Sequence, residues 1–178
     1  MNHTDYVDLL RPAILHGGVW ADLGSGRGAF TLALAELLGP GATIYSLDRD
    51  AAALADQQRT MQSQFPKIVL HTMVTDFRQP NPQVPLLDGI VMANSLHFYH
   101  DWWAVVQHVC GWLKPGGAFV LVEYDTDASN YWMPHPLSYE TWAGIAPTCG
   151  LLDTQRIGHK PTRDGRGFYS ARSFKPSP

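Results

Sequence analysis

The residues best suited to ligand chemistry lie in a glycine-rich segment near the start of the chain. An apolar run over positions 19–23 includes one acid, Asp22. Glycines follow at alternate positions, Gly24, Gly26 and Gly28, ahead of a second apolar run. Glycine reaches positive φ without steric cost and lets a ligand lie against the main chain. The pattern predicts a nucleotide-type cofactor site at the first strand-to-helix turn of an α/β sheet.

Two classes of cofactor compete for this turn. The run Gly24-x-Gly26-x-x-Ala29 also fits the dinucleotide fingerprint, with Asp48 at a plausible distance for a ribose hydroxyl. Asp22 separates the two classes. A pyrophosphate at a helix N-terminus gains nothing from a neighbouring carboxylate, whereas a cofactor that carries an ammonium and a sulfonium does. The sequence also lacks the Tyr-x-x-x-Lys pair that a nicotinamide-dependent reductase would use.

The complete motif, an acid followed by x-G-x-G-x-G, resembles the first motif of the class I S-adenosylmethionine-dependent methyltransferases of the small-molecule type. The resemblance covers nearly the whole chain from about residue 18. It implies that Asp22, Ser25 and the three glycines hold the methionine portion of S-adenosylmethionine. It implies an enzyme that transfers a methyl group. A non-catalytic S-adenosylmethionine-binding scaffold or regulatory subunit with the same fold is the alternative.

Two further acids match positions that contact the nucleoside in this family. Asp48 closes the second apolar run, where the family places an acid that accepts hydrogen bonds from both ribose hydroxyls. A helix cap is the alternative for Asp48, since aspartate favours caps. By the same resemblance Arg49 flanks the adenine, Asp76 accepts from its amino group, and Phe77 lies beside the base. For Asp76, a plain turn residue before the proline-rich segment 80–85 is the alternative.

The residues expected near the transferred methyl group follow the fourth and fifth strands. In-line displacement needs a nucleophile aligned within about 3–3.5 Å, plus a base when the nucleophile holds its proton tightly. Asn94 and Ser95 are expected close to the methyl group. His97 and His100 are candidate bases, although the family also has a histidine here that caps the next helix or packs on the cofactor. Glu123 is a candidate to fix a substrate group or to satisfy a buried strand end.

Short apolar runs alternate with helix-length segments, which indicates a parallel sheet covered by helices on both faces. The predicted strands are 19–23, 43–48, 68–73, 88–93, 118–124, 151–157 and 167–174. The predicted helices are a first one that stops at Gly39, then 50–64, 102–113 and 138–149. The resemblance places the seventh strand between the fifth and sixth. The expected fold class is α/β, a single Rossmann-like doubly wound seven-stranded mixed sheet with a C-terminal antiparallel hairpin.

One domain is expected over 1–178, with its core in 19–174. Residues 1–18 are expected to hold a short helix from about 6 to 15 that forms a partial lid. The Leu-Lys-Pro-Gly-Gly run at 113–117 is interpreted as a helix stop and a tight entry to the fifth strand. Residues 175–178 are expected to form a disordered tail.

Composition narrows the classes of partner. The formal net charge is −3, and scattered Lys and Arg residues give no basic surface for nucleic acid. Cys110 and Cys149 stand too far apart to suggest a disulfide framework or a thiolate metal site, and Cys110 is expected in the core. No secretory leader or membrane-length apolar run is apparent, which favours a cytoplasmic location.

A small-molecule acceptor is therefore expected, with no nucleic-acid partner, no membrane partner and no metal. The run 94–97 lacks the two prolines that nucleic-acid and amide N-methylating branches of the family carry after the fourth strand. Tyr131 and Trp132, with Met133 and His135, favour a planar or apolar acceptor, and ordinary core packing is the alternative. A second subunit, as in a homodimer, is one way to complete the cover over the site.

Overall fold

The apolar runs form the seven strands of one mixed sheet. The computed structural model describes residues 1–79, 83–162, 165 and 167–177. The strands are β1 (Val19–Leu23), β2 (Thr43–Asp48), β3 (Val69–Val74), β4 (Leu87–Ala93), β5 (Leu113–Tyr124), β6 (Leu152–Lys160) and β7 (Phe168–Phe174). Their order is β3-β2-β1-β4-β5-β7-β6, and β7 runs antiparallel to both of its neighbours. The predicted fold class and the insertion of the seventh strand are confirmed.

Helices cover both faces of the sheet. They are α1 (His3–Leu10), α2 (Ala29–Leu38), α3 (Ala51–Gln64), α4 (Trp102–Cys110) and α5 (Tyr139–Ile145). Side chains of α1, α2 and α3 share one hydrophobic core, and those of α4 and α5 share the other. None of the helices in the described part of the chain is long and apolar enough to cross a bilayer.

The central strands separate the two cores. Along β5, Phe119 and Leu121 pack into the core with α4, whereas Val120 and Val122 pack into the core with α2. A parallel strand covered on both faces needs this continuous apolar run. The carboxyl ends of β1, β2, β4 and β5 therefore meet at one edge of a rigid layer, where ligands of such sheets bind.

The fifth strand begins earlier than predicted. Leu113 pairs with Leu87, five residues before the expected start at position 118. The chain then bulges, and regular pairing resumes at Ala118. The preceding helix accordingly ends at Cys110 rather than at 113. The Leu-Lys-Pro-Gly-Gly run is a bulged strand start, because its proline cannot donate to a ladder and its glycines tolerate the bend.

The N-terminal helix also begins earlier than predicted. Asn2 and Asp5 form a capping box, which sets the start of α1 at His3 rather than near residue 6. The helix ends at Leu10, and Pro12 follows in a single 3₁₀ turn. The helix packs against α2 and β6.

The C-terminal segment is anchored at its first residue. The Lys175 N–H donates to the Gly117 carbonyl at 2.9 Å, and Lys175 Nζ donates to the Leu113 carbonyl at 2.7 Å. The expected disorder of the tail is therefore wrong for Lys175. Residue 178 lies outside the described residues, as do 163, 164 and 166 of the predicted hairpin turn and 80–82 of the proline-rich segment.

Candidate active site

The glycine-rich turn between β1 and α2 has the backbone that only glycine adopts freely. Gly24, Gly26 and Gly28 have φ values of 76°, 52° and 86°. The Gly24 N–H donates to the Leu47 carbonyl at 2.8 Å, which ties the turn to the end of β2. A Cβ on Gly24 would lie 2.5 Å from the Ser95 Cβ. The turn therefore needs glycine both for its conformation and for its close approach to the segment after β4.

A cavity of about 200 Å³ opens at the carboxyl ends of these strands. Ten residues from four segments line it: Gly24, Asp48, Arg49, Thr75, Asp76, Phe77, Asn94, Ser95, Phe98 and Tyr99. Seven of these were expected to contact the cofactor or the methyl group. The sequence interpretation missed Thr75, Phe98 and Tyr99, which carry no motif of their own and reach the cavity only because β3 and β4 end beside the turn.

Asp48 joins the turn and does not cap the following helix. Its Oδ2 accepts from the Gly26 N–H at 2.7 Å, and its Oδ1 accepts from the Asp50 N–H at 2.9 Å. The cap of α3 is Asp50, whose side chain accepts from the N–H groups of Ala52 and Ala53. The alternative that Asp48 is a helix cap is therefore wrong. Asp48 lines the cavity, and its contact with ribose stays a prediction.

Asp76 is held by an arginine that the sequence interpretation did not single out. The Arg78 backbone N–H and Nε both donate to Asp76 Oδ1 at 3.0 Å. The Arg78 guanidinium also lies 4.8 Å from the centroid of the Tyr99 ring. Chiefly because of the hydrogen bond from Arg78, the pKa of Asp76 lies below its usual value. Asp76 is thus ionised. It accepts from the Arg78 N–H within its own turn and also lines the cavity.

Asn94 carries two signs of a ligand contact. It is a non-glycine residue with a positive φ of 51°, a conformation that costs energy and clusters at functional sites. Its Oδ1 is buried and has no hydrogen-bond partner within the described structure. A buried acceptor without a partner is costly. A bound molecule that donates a hydrogen bond from the cavity would relieve that cost.

Asp22 does not line the cavity. Its side chain is 1% exposed and lies beneath the turn, where Oδ2 accepts from the Thr31 hydroxyl at 2.6 Å. Burial raises the pKa of Asp22 to about 7, the Thr31 hydrogen bond opposes this shift, and the charge of Asp48 adds to it. The strand turns the Asp22 side chain inward, where it contacts α2, and its predicted contact with the cofactor stays a prediction. Any effect of Asp22 on a ligand is electrostatic or acts through the turn.

His97 and Glu123, expected separately, form one buried pair. His97 Nδ1 lies 2.6 Å from Glu123 Oε2. Glu123 Oε1 also accepts from the N–H groups of Leu96 at 3.0 Å and of His97 at 3.3 Å. The carboxylate therefore fixes the short turn after β4 and orients the imidazole. Nε2 is the only ring nitrogen of His97 left for another partner.

His100 lies apart from that pair, in a second and larger cavity. This cavity has a volume of about 410 Å³ and shares Phe98 and Tyr99 with the smaller one. The remaining lining residues are Arg78, His100, Asp101, Ala104, Val105 and His108. The two cavities therefore adjoin across the aromatic pair Phe98 and Tyr99. Neither His97 nor Glu123 lines either cavity, so the structure does not bring all three predicted catalytic residues together.

The aromatic loop after β5 is divided between surface and core. Tyr131 and Trp132 are 89% and 77% exposed, so core packing is the wrong interpretation for both. Met133 is buried, and Asn130 Oδ1 accepts from the N–H groups of Trp132 and Met133 at 2.8 and 2.9 Å. The His135 N–H donates to the His97 carbonyl at 3.0 Å. The loop therefore presents two rings on an ordered turn next to the His97 segment.

The cysteines have a structural role. Cys110 packs into the core of α4, and burial raises the pKa of its thiol to about 12. The predicted core position of Cys110 is confirmed. Across the residues that the structure describes, His, Cys, Asp and Glu side chains form no group of three that could hold a metal ion.

Comparison with known proteins agrees with this geometry. Residues 21–119 match the family model described as a methyltransferase domain. A curated relative, ribosomal RNA small subunit methyltransferase H of Acidobacterium capsulatum, is 33% identical over 97 residues. That match covers 48% of this chain and 32% of the relative, so the chain spans about a third of the relative's length.

Solved structures show the same fold at low identity. One is the 1,6-didemethyltoxoflavin-N1-methyltransferase of Burkholderia thailandensis with bound 1,6-didemethyltoxoflavin and S-adenosylhomocysteine. It has a TM-score of 0.75 and 16% identity, over 98% of this chain and 78% of that one. A putative methyltransferase from Bacillus halodurans also has a TM-score of 0.75, with 13% identity, over 98% of this chain and 100% of that one.

The described residues fit S-adenosylmethionine. Of the predicted turn residues Gly24 lines the cavity, whereas Ser25, Gly26 and Gly28 do not, and the space beside Gly26 is open. Asp48 presents a carboxylate that could accept from ribose hydroxyls, and Asn94 presents a buried acceptor with no partner among the described residues. The family match covers the turn, Asp48, Asp76 and the segment after β4. The chain therefore belongs to the methyltransferase-domain family, and it has the seven-stranded mixed sheet expected for the class I fold.

Proposed function

We propose that the protein transfers a methyl group from S-adenosylmethionine to a small-molecule acceptor. The observation that carries this proposal is the cavity of about 410 Å³ that adjoins the cofactor cavity across Phe98 and Tyr99. Its volume lies within the range of small-molecule sites. The net charge of −3 also favours a small acceptor over a phosphate backbone.

The chain's own residues would bind and orient the cofactor. When bound, S-adenosylmethionine supplies an electrophilic methyl carbon. Asp48 would accept from the ribose hydroxyls, while Asp76 and Phe77 would hold the adenine beside Arg49. The Gly24 to Gly28 turn would bind the methionine portion, with Ser25 contributing its hydroxyl. Asn94 would accept a hydrogen bond at the inner end of the cavity.

We propose His97 as the base for methyl acceptors that hold their proton tightly. His97 lines neither cavity and lies behind Phe98, with the two ring centroids 4.3 Å apart, so this role requires Nε2 to become accessible when the acceptor binds. The contact between Nδ1 and Glu123 favours the tautomer in which Nδ1 carries the proton and Nε2 accepts one. Glu123 would then be a positioning residue, which also supports the backbone of Leu96 and His97. His100, in the wall of the larger cavity, is proposed to contact the acceptor.

Replacing Asp48 by Ala is expected to weaken S-adenosylmethionine binding roughly 10- to 150-fold. The ribose hydroxyls lose a charged acceptor worth about 1.5–3 kcal/mol. Isothermal titration calorimetry of the purified variant measures the change. Asp8→Ala, an exposed carboxylate on α1, is the matched control and should bind like the parent protein. Equal affinity in Asp48→Ala and the parent would show that the ribose assignment is wrong.

A ribosomal RNA acceptor is the second candidate function. The observation in its favour is the 33% identity over 97 residues with ribosomal RNA small subunit methyltransferase H. Incubating the protein with methyl-labelled S-adenosylmethionine and a cell extract separated by ultrafiltration distinguishes the two. Label in the small-molecule fraction supports the proposal, and label in ribosomal RNA supports the second candidate. Binding of S-adenosylmethionine without label in either fraction would favour the non-catalytic scaffold.

Calorimetric titration with S-adenosylmethionine, S-adenosylhomocysteine and NADH comes first. Binding of both sulfur compounds without a response to NADH is the expected result. The absence of binding to both would contradict the cofactor assignment on which the acceptor proposal depends. A homodimer, a cytoplasmic location and a single domain over the full length stay predictions from the sequence.

A further inference from the structure

A buried chain of polar side chains lies directly beneath the glycine turn. It joins Ser25 of the turn to Ser46 of β2, Gln57 of α3, Thr31 of α2 and Asp22 of β1. The four consecutive contacts are each 2.6 Å long. Asp22, Thr31, Ser46 and Gln57 are all essentially inaccessible to solvent. Four elements of the fold thus converge on one hydrogen-bonded chain.

The chemistry of the groups sets the direction of the chain. When Asp22 is ionised its carboxylate only accepts, so Thr31 donates its hydroxyl proton to Asp22. Thr31 must then accept from the Gln57 amide nitrogen, which leaves the amide oxygen of Gln57 to accept from Ser46. Ser46 has one proton, so the contact between the two serines needs the Ser25 proton. The hydroxyl of Ser25 is therefore committed inward, and its outer side offers lone pairs only.

Gln57 links the Asp22 end of the chain to the serine end. A carboxamide donates at one end and accepts at the other, so the ionised Asp22 sets which end of Gln57 faces Ser46. The Gln57 side chain also packs on Gly28, where an added Cβ would overlap it. Gln57 therefore carries the polarity of the chain from Asp22 to Ser46 and contacts the turn's last glycine.

We propose that Gln57 is a positioning residue for the ammonium end of the cofactor. It holds the Asp22 carboxyl beneath the turn and, while Asp22 is ionised, keeps the outer side of the Ser25 hydroxyl an acceptor. The inference rests on the proposed cofactor-binding role of the turn. It adds a residue of α3 that no motif marks.

The test uses three ligands and the variant Gln57→Met, which keeps length and apolar bulk but removes both hydrogen bonds. Affinity for S-adenosylmethionine and S-adenosylhomocysteine is expected to fall about 10-fold or more, since both carry the ammonium. Affinity for methylthioadenosine, which lacks the amino-acid portion, should stay within about 2-fold. Gln58→Met, at the adjacent exposed position of α3, is the matched control and should leave all three affinities unchanged.

The outcomes separate positioning from general loosening of the fold. Equal losses for all three ligands, or no loss for any, would overturn the proposal. Ser46→Ala breaks the same chain with a smaller change in volume, and it carries the test if Gln57→Met does not fold. Failure of the parent protein to bind S-adenosylmethionine would instead contradict the cofactor role of the turn, and so it is distinguishable from failure of this inference.

Discussion

Replacing Asp22 by Asn is expected to change stability in a strongly pH-dependent way. Burial raises the pKa of Asp22 to about 7 in the folded protein, from 3.8 when exposed. A carboxyl whose pKa is raised on folding stabilises the protein fully below its unfolded pKa, and that contribution is lost as the pH rises through about 7. Above that pH, keeping the buried charge costs on the order of 4 kcal/mol. Asn has no charge to desolvate.

The asparagine has its own cost, which does not vary with pH. Its Oδ1 keeps the hydrogen bond from Thr31, but its amide N–H groups would be buried without an acceptor, at about 1–3 kcal/mol. Between about pH 5 and about pH 8, the free energy of unfolding of the variant relative to the parent should rise by about 2–3 kcal/mol. Urea unfolding at both pH values measures this change.

The pH dependence is the decisive quantity for Asp22. Asp8→Asn, on the exposed face of α1, is the control. Its free energy of unfolding relative to the parent should be nearly the same at the two pH values. If the free energy of unfolding of Asp22→Asn differs from that of the parent by the same amount at both pH values, Asp22 does not titrate near neutrality. The buried carboxylate would then need another source of stabilisation beyond Thr31.

Two variants of Glu123, to Ala and to Gln, distinguish its role in stabilising the fold from its role in proton transfer. Glu123→Ala is expected to destabilise the protein by about 3–5 kcal/mol, because it removes the acceptor of a buried pair. Two backbone N–H groups and His97 Nδ1 would lose their partner together. Thermal or urea unfolding measures the loss.

Glu123→Gln keeps the shape and reverses one hydrogen bond. The amide oxygen can accept from Leu96 and His97 as the carboxylate does, while the amide nitrogen donates to Nδ1 of His97. That contact moves the imidazole proton to Nε2, which can then no longer act as a base. Stability should stay close to that of the parent, and turnover should fall roughly 100- to 10,000-fold for an acceptor whose proton must be removed.

Turnover of Glu123→Gln decides the role of His97. If Glu123→Gln folds and has the parent turnover rate, the role of His97 and Glu123 is only to support the turn after β4. Loss of turnover with unchanged cofactor affinity and stability would support proton transfer at Nε2. Gln155→Glu is the control, since it exchanges an exposed amide for a carboxyl in β6 at a position that lines neither cavity.

The sequence by itself determined the sheet, the glycine turn and the family. Strand positions and the order of elements follow from apolar periodicity and from breakers such as Gly39 and Pro66, which act over a few residues. The turn could be predicted because Gly24, Gly26 and Gly28 adopt positive φ, which is a local property of the backbone. The position of Asp48 at the cavity could be predicted because parallel strands bring their carboxyl ends to one edge of the sheet.

Only the tertiary structure decided which polar groups meet. Glu123 and His97 are 26 residues apart, and Gln57 and Thr31 also 26, so no local pattern links them. The direction of the Asp22 side chain depends on how α2 packs over β1, which a strand pattern does not encode. Burial and partner choice are set by the packing of whole elements, and for that reason motif residues were found while their contacts, their charge states and the residues supporting them were not.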